Sequence, residues 1–118
     1  MTEIEVPAGP VVREPDGLLS APVNALLSPD ERRSAPALFR ALLAGKLLYG
    51  LGERDAAALA KAVARALATE PAFTVEAVGV ACAVTGKAIR KVDRPAVLAA
   101  AVSLGGHRLV DAVRLGAA

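Results

Sequence analysis

Residues Ala96 to Leu115 read AVLAAAVSL-GG-HRLVDAVRL: an apolar run, Gly105-Gly106, then a second run in which apolar and polar residues alternate. Two glycines between such runs accept the positive φ angles of a two-residue hairpin turn, so the segment predicts two antiparallel strands, Ala96 to Leu104 and His107 to Leu115. Upstream, Phe73-Thr74-Val75-Glu76-Ala77-Val78 also alternates and predicts another strand, which the apolar run extends toward Val84. Thr85-Gly86 closes it with a turn. A polar connection from Lys87 to Arg94 follows, with a short strand at Ala88-Ile89 as a further candidate.

Before the strands, the period is helical. Ser28-Pro29-Asp30-Glu31 is a capping box, with Pro29 at the first helical position, where its missing N–H costs nothing. Leu38, Phe39, Leu42, Leu43 and Leu47 follow at helical spacing, and Gly50 and Gly52 end the pattern. Pro36 inside it predicts a kink near Arg32 or a helix that restarts. A second helix from Asp55 to Thr69 carries Leu59, Ala62, Val63, Ala66 and Leu67 on one stripe. The fold class is therefore α+β: a helical hairpin packed on a three-stranded antiparallel sheet in two layers. An extended N-terminal arm broken by Pro7 and Pro10 leads into a turn at Arg13-Glu14-Pro15-Asp16-Gly17. We divide the chain into an arm and loop, 1–27, and a domain, 28–118, that together form one compact unit.

The length of 118 residues allows one core, and 54% hydrophobic residues with a mean hydropathy of +0.46 allow it to fold. Alanine is roughly a quarter of the chain and aromatics only 3%, so the core is built from small and aliphatic side chains. Two Phe, one Tyr and no Trp argue against base-stacking nucleic-acid readers, and a net charge of +2 names no partner. The basic stretch Lys87, Arg90, Lys91 and Arg94 reads as a solvated loop or strand face. With Cys82 and His107 each single of its kind, neither a disulfide framework nor a Cys/His zinc site is expected. No apolar run approaches a membrane span, and the first ten residues lack a signal-peptide core, so no membrane contact and a cytoplasmic location are expected.

No self-sufficient catalytic motif is present: no phosphate loop, nucleophile elbow or dinucleotide fingerprint. Neither a cofactor nor a metal is therefore expected. Cys82, between Ala81 and Ala83, reads as a buried inert thiol, and His107 as a turn histidine or, less simply, a general base. Asp111 shares a strand face with Leu109, Val113 and Leu115; either it is buried against an arginine or that face is open to a ligand, and the ion pair is the simpler reading.

Several strings, in order, resemble the C-terminal domain of pantothenate synthetase, the pantoate:β-alanine ligase. They are Pro10-Val11-Val12-Arg13-Glu14-Pro15-Asp16-Gly17-Leu18, Leu27-Ser28-Pro29-Asp30-Glu31-Arg32-Arg33, Ala68-Thr69-Glu70-Pro71, and Gly105-Gly106-His107-Arg108-Leu109-Val110-Asp111. The resemblance implies a lid domain that covers a nucleotide-binding domain. After Asp-Gly-Leu the family carries Met-Ser-Ser-Arg-Asn, whose serines and arginine contact ATP phosphates; here Ser20-Ala21-Pro22-Val23-Asn24 occupies that stretch, and of the four polar residues only the asparagine is kept. Those losses remove charge-assisted phosphate bonds.

These readings give a stand-alone lid recruited as a small ATP-independent biosynthetic enzyme of specialised metabolism, of cyclase, isomerase or condensation type. Its substrate would be a carboxylate-bearing or apolar small molecule. Arg13, Ser20, Asn24 and Arg108 are the expected substrate contacts, and Glu14, Asp16 and His107 the candidate acid-base groups. The alternatives are a non-catalytic subunit or regulator docking a partner protein, and a split ligase completed in trans. Because apolar residues occupy both faces of the last two strands, a homodimer through the second sheet face is also expected.

Overall fold

The computed structural model describes residues 12–116; most of the expected N-terminal arm lies outside the described residues. Helix α1 spans Pro29–Ser34, α2 Ala37–Gly50 and α3 Ala56–Leu67, followed by strands β1 (Phe73–Cys82), β2 (Ala96–Leu104) and β3 (His107–Leu115). The sheet is antiparallel in the order β1-β2-β3, and α2 and α3 pack on one of its faces. This is the expected α+β arrangement of helices on a three-stranded sheet.

Helix starts follow the local chemistry. Ser28 Oγ accepts from the Glu31 N–H at 3.2 Å, and Glu31 Oε1 accepts from the Ser28 N–H at 2.7 Å, which completes the capping box of α1. Ser28→Ala is expected to lower stability by about 1 kcal/mol, as read from urea unfolding. Pro36 has no N–H for the Arg32 carbonyl, so the helix stops at Ser34 and restarts as α2 with Pro36, at φ −62°, as N-cap. At α3 the Asp55 carboxylate caps the Ala58 N–H at 3.0 Å.

The core lies between the layers, with Leu38, Leu42, Leu59, Val63 and Leu67 facing Leu98, Val102, Leu104, Leu109 and Leu115. Gly45 lets α2 approach closely: a Cβ there would sit 2.6 Å from both Leu98 Cδ2 and Val63 Cγ2. The apolar pattern of α2 divides in a way its spacing does not reveal. Leu38, Ala41, Leu42 and Gly45 are buried, whereas Leu43 and Leu47 are exposed.

The strands differ from expectation in four places. β1 ends at Cys82, because the Gly86 N–H bonds the Cys82 carbonyl and turns the chain back, and the short strand at 88–89 is a single bridge, Ala81 to Ala88. The β1–β2 register shifts between Val75 and Ala77, a bulge at Glu76. On the sheet face away from the helices, Ala99 and Ala101 are already buried, with Gly79, Ala112, Ala77 and Val110 as their cross-strand neighbours. That face is less open than the alternation of β2 implies. Between β2 and β3, Gly105 (φ +58°) and Gly106 (φ +82°) form the hairpin turn, and a Cβ on Gly105 would collide with the Glu31 carboxylate, so the turn seats against α1.

Candidate functional site

The loop before α1 holds most of the expected site residues. The Glu14 N–H bonds the Leu18 carbonyl at 2.8 Å, the Gly17 N–H bonds the Glu14 carbonyl at 2.9 Å, and the Ser20 N–H bonds the Val12 carbonyl at 2.8 Å. These bonds make residues 12–20 a tight hairpin-like turn. Gly17 takes φ +94° and lies against the Phe39 ring, so a side chain there would meet the ring as well as backbone strain. Pro22–Leu26, expected as loop, is a short 3₁₀ helix that begins on Pro22.

Arg13 fastens this loop to the sheet. Its Nη1 and Nη2 donate to Asp111 Oδ2 and Oδ1 at 2.6 and 2.9 Å, Nη1 also to the Gly17 carbonyl at 3.0 Å, and Nη2 to the Ala112 carbonyl at 3.3 Å. The guanidinium carbon stacks 3.9 Å from the centre of the Phe39 ring. Side-chain exposure is 21% for Arg13 and 4% for Asp111, the one charged residue that is buried among the described residues. The ion pair expected at Asp111 is therefore present, and Arg13, read from the sequence as an anion anchor, is its partner. Any ligand anion would compete with a bidentate pair, two carbonyls and a ring.

Around the same loop, Ser20 Oγ donates to Glu14 Oε1 at 2.9 Å and Asn24 Nδ2 donates to the Leu19 carbonyl at 3.0 Å. The buried Asn24 Oδ1 accepts no hydrogen bond among the described residues. Asp16 pairs with Arg32 of α1 at 2.7 and 3.3 Å, and the bond to this guanidinium holds the Asp16 carboxyl below its ordinary value of 3.8. A carboxylate held ionised and paired is a poor proton carrier at neutral pH. A carboxylate lowered by folding stabilises the fold above its unfolded value and loses that contribution as pH falls through its folded value, so the effect belongs below 3.8. In a carboxyl-carbon NMR titration, Arg32→Gln is expected to return Asp16 to the ordinary aspartate range; an unchanged midpoint would refute the assignment to Arg32.

The structure gathers Arg13, Glu14, Asp16, Ser20 and Asn24 in one loop and leaves two candidates apart. His107 begins β3 opposite Leu104, four residues from Asp111 or about 13 Å along the strand. Arg108 points to the other sheet face, where its Nε donates to Glu76 Oε1 at 3.1 Å. At the opposite end of the sheet Cys82 is buried, as expected, yet the Thr85 hydroxyl, the Thr85 and Val84 N–H groups and nearby Arg94 lower its thiol pKa. The signal for this was the Thr85-Gly86 turn, which folds the chain back over the sulfur. Among the described residues no group of three or more His, Cys, Asp or Glu is placed to hold a metal, and no helix is long and apolar enough to cross a membrane.

The family model described as pantoate-beta-alanine ligase matches residues 1–114. The chain belongs to that family. It is 39% identical over 112 residues to the pantothenate synthetase of Moorella thermoacetica and 44% identical over 112 residues to that of Anaeromyxobacter dehalogenans, covering 95% of this chain in each case. It spans only 40% and 38% of those proteins. A crystal structure of pantothenate synthetase from Thermus thermophilus superposes with a TM-score of 0.82 at 33% identity, over 92% of this chain and 39% of that one. The ligase-family chain thus corresponds to the C-terminal domain of its relatives.

Proposed function

We propose that the chain is an ATP-independent, small-molecule-binding member of the ligase family whose ligand sits on the loop from Glu14 to Asn24. The observation that carries this reading is how the loop distributes its charge. Both guanidinium groups at the loop are committed internally, Arg13 to Asp111 and Arg32 to Asp16, while Ala21, Pro22 and Val23 carry no side-chain donor. A triphosphate would find no charge-assisted side-chain partner there. What stays open is acceptor chemistry: the Glu14 carboxylate, one oxygen of which accepts from Ser20, whereas the unpartnered Asn24 Oδ1 is buried inside the loop. The fitting ligand therefore presents a hydroxyl or ammonium group to Glu14, which is also the acid-base group for a proton-transfer step of the isomerase, cyclase or condensation type. Arg13 serves as frame rather than as anchor.

Calorimetry with pantoate, β-alanine and magnesium-ATP tests this. One of the first two is expected to bind, with loss of binding in Glu14→Gln, and ATP is expected not to bind. Micromolar ATP binding would overturn the reading.

A second reading, a ligase completed in trans, draws on the relatives. They match nearly the whole chain, while the chain spans about two fifths of their length. Mixing the chain with the nucleotide-binding part of a relative, pantoate, β-alanine and ATP separates the two. Pantothenate formed only in the mixture would favour complementation and displace the ATP-independent reading.

A further inference from the structure

We infer that the end of the molecule where α2, β1 and β3 finish is a docking surface for an anionic lipid bilayer, into which the tips of two turns insert. This is independent of the ligand reading, since the loop from Glu14 to Asn24 takes no part in it. Contacts between distant segments gather residues 46–55, 82–95 and 114–116 at that end. Cys82 pairs with Ala96 and Ala96 with Leu115, the Val92 N–H bonds the Arg54 carbonyl at 2.8 Å, and a Cβ on Gly116 would lie 3.4 Å from the Tyr49 hydroxyl. These stretches carry seven basic and three acidic side chains, whereas the other described residues carry seven of each. The excess positive charge of the described residues therefore lies entirely here. The three acids are already occupied: Glu53 Oε2 accepts from the Arg54 and Asp55 N–H groups, Asp55 caps α3, and Asp93 pairs with Arg94 at 2.7 Å.

The strip from Lys87 to Val92 carries charge across this end. The Cys82 N–H bonds the Lys87 carbonyl at 2.8 Å and the Ile89 N–H bonds the Val80 carbonyl at 3.2 Å, which lays the strip beside β1; the Ala56 N–H bonds the Arg90 carbonyl at 2.9 Å, which ties it to the start of α3. Val92 is buried and Ile89 half-buried against the core, while Lys87, Arg90 and Lys91 are exposed and pair with no carboxylate among the described residues. At the two sides of the strip stand the most exposed large apolar side chains of the described residues: Val84, at 86%, in the turn after β1, and Leu51, at 77%, in the turn after α2. Aliphatic tips beside unpaired cations suit the boundary between lipid head groups and acyl chains, where the cations meet phosphates and the tips leave water. Contact of this kind needs no spanning helix. The tips also decide the occupant. A nucleic-acid strand would use the cations but offers little to valine and leucine, and the one aromatic of these stretches, Tyr49, is already stacked on Arg54. An acidic peptide helix would need an apolar groove, whereas side chains this exposed project from turns and wall nothing in.

Co-sedimentation with vesicles tests this. The chain is expected to pellet with phosphatidylcholine mixed two to one with phosphatidylglycerol, to stay in solution with phosphatidylcholine alone, and to be released from the mixed vesicles at about 0.5 M salt. The triple change Lys87→Gln, Arg90→Gln and Lys91→Gln is expected to lower the partition coefficient by about tenfold or more, with an unchanged circular dichroism spectrum. Because the chain has no tryptophan, Leu51→Trp and Val84→Trp each supply a single reporter. Both emissions are expected to shift to the blue on the mixed vesicles, whereas Leu26→Trp, at a site 64% exposed in the 3₁₀ helix before α1, is expected not to move. Equal pelleting with phosphatidylcholine alone, no pelleting with the mixed vesicles, undiminished partition of the triple variant, or tip tryptophans that stay in water would each overturn the proposal. Retention on heparin without vesicle binding would also overturn it, and would assign this end to a soluble polyanion.

Discussion

Arg13→Ala is expected to destabilise the fold by about 3 to 5 kcal/mol, because it leaves the Asp111 carboxylate buried without its countercharge. Domains of this kind have only about 5 to 15 kcal/mol of stability in total, so the loss is a large share of it. The cost has three sources: the bidentate pair, the two carbonyls of Gly17 and Ala112 that lose a donor, and the Phe39 face that loses its stacked cation. Arg13→Lys is expected to recover only part of this, since an ammonium neither forks onto two carboxylate oxygens nor stacks as a plane. The paired change Arg13→Met with Asp111→Leu is expected to be far milder than Arg13→Ala, because an apolar pair removes the buried charge together with its partner. Urea unfolding of the four proteins measures all of this. A loss below about 1 kcal/mol for Arg13→Ala would mean that solvent reaches Asp111 and that the clamp is a surface pair.

Leu98→Ala is expected to cost about 2 to 5 kcal/mol, the range for deleting a fully buried leucine and leaving a cavity behind. Its interaction with Gly45 is more informative. Gly45→Ala alone is expected to destabilise by about 1 to 3 kcal/mol, since the new methyl group collides with Leu98 Cδ2 and Val63 Cγ2, against about 1 kcal/mol of helix propensity gained. In the double variant the methyl group enters space that Leu98 vacates. The double change is therefore expected to cost less than the sum of the singles by about 1 kcal/mol or more, with Val63 still limiting the recovery. Strict additivity in thermal or urea unfolding would show that the helix backs away from the sheet instead of pressing on it.

Features set by neighbours in sequence were legible without coordinates. Ser28 and Glu31 announce α1, Pro36 announces the restart, and Gly105-Gly106 announces the hairpin, because each acts within four residues. Features set by distant partners were not. Nothing near Asp111 says which arginine meets it, since Arg13 lies 98 residues away. For the same reason Arg13 read as a ligand group: an arginine in a polar loop looks free until the strand that uses it is placed. The two leucine series of α2 show a subtler limit. Leu38 with Leu42 and Leu43 with Leu47 are equally good four-residue repeats, and only the position of the sheet decides which is core. Glu76 gave no sign of a bulge, because alternation persists on both sides of it.

That bulge bears on what happens when many copies of the chain are crowded together. β1 is an outer strand, and along Phe73 to Gly79 its free side offers backbone N–H and C=O groups that another strand could extend. An added residue at Glu76 breaks the regular spacing of those groups, and the exposed carboxylate, held by Arg108 from across the sheet, puts charge at the point where an incoming strand would have to lie flat. Removing the extra residue would straighten the ladder and leave an uncharged, valine-rich border, so deletion of Glu76 exchanges a guarded edge for a template on which chains can stack into fibrils.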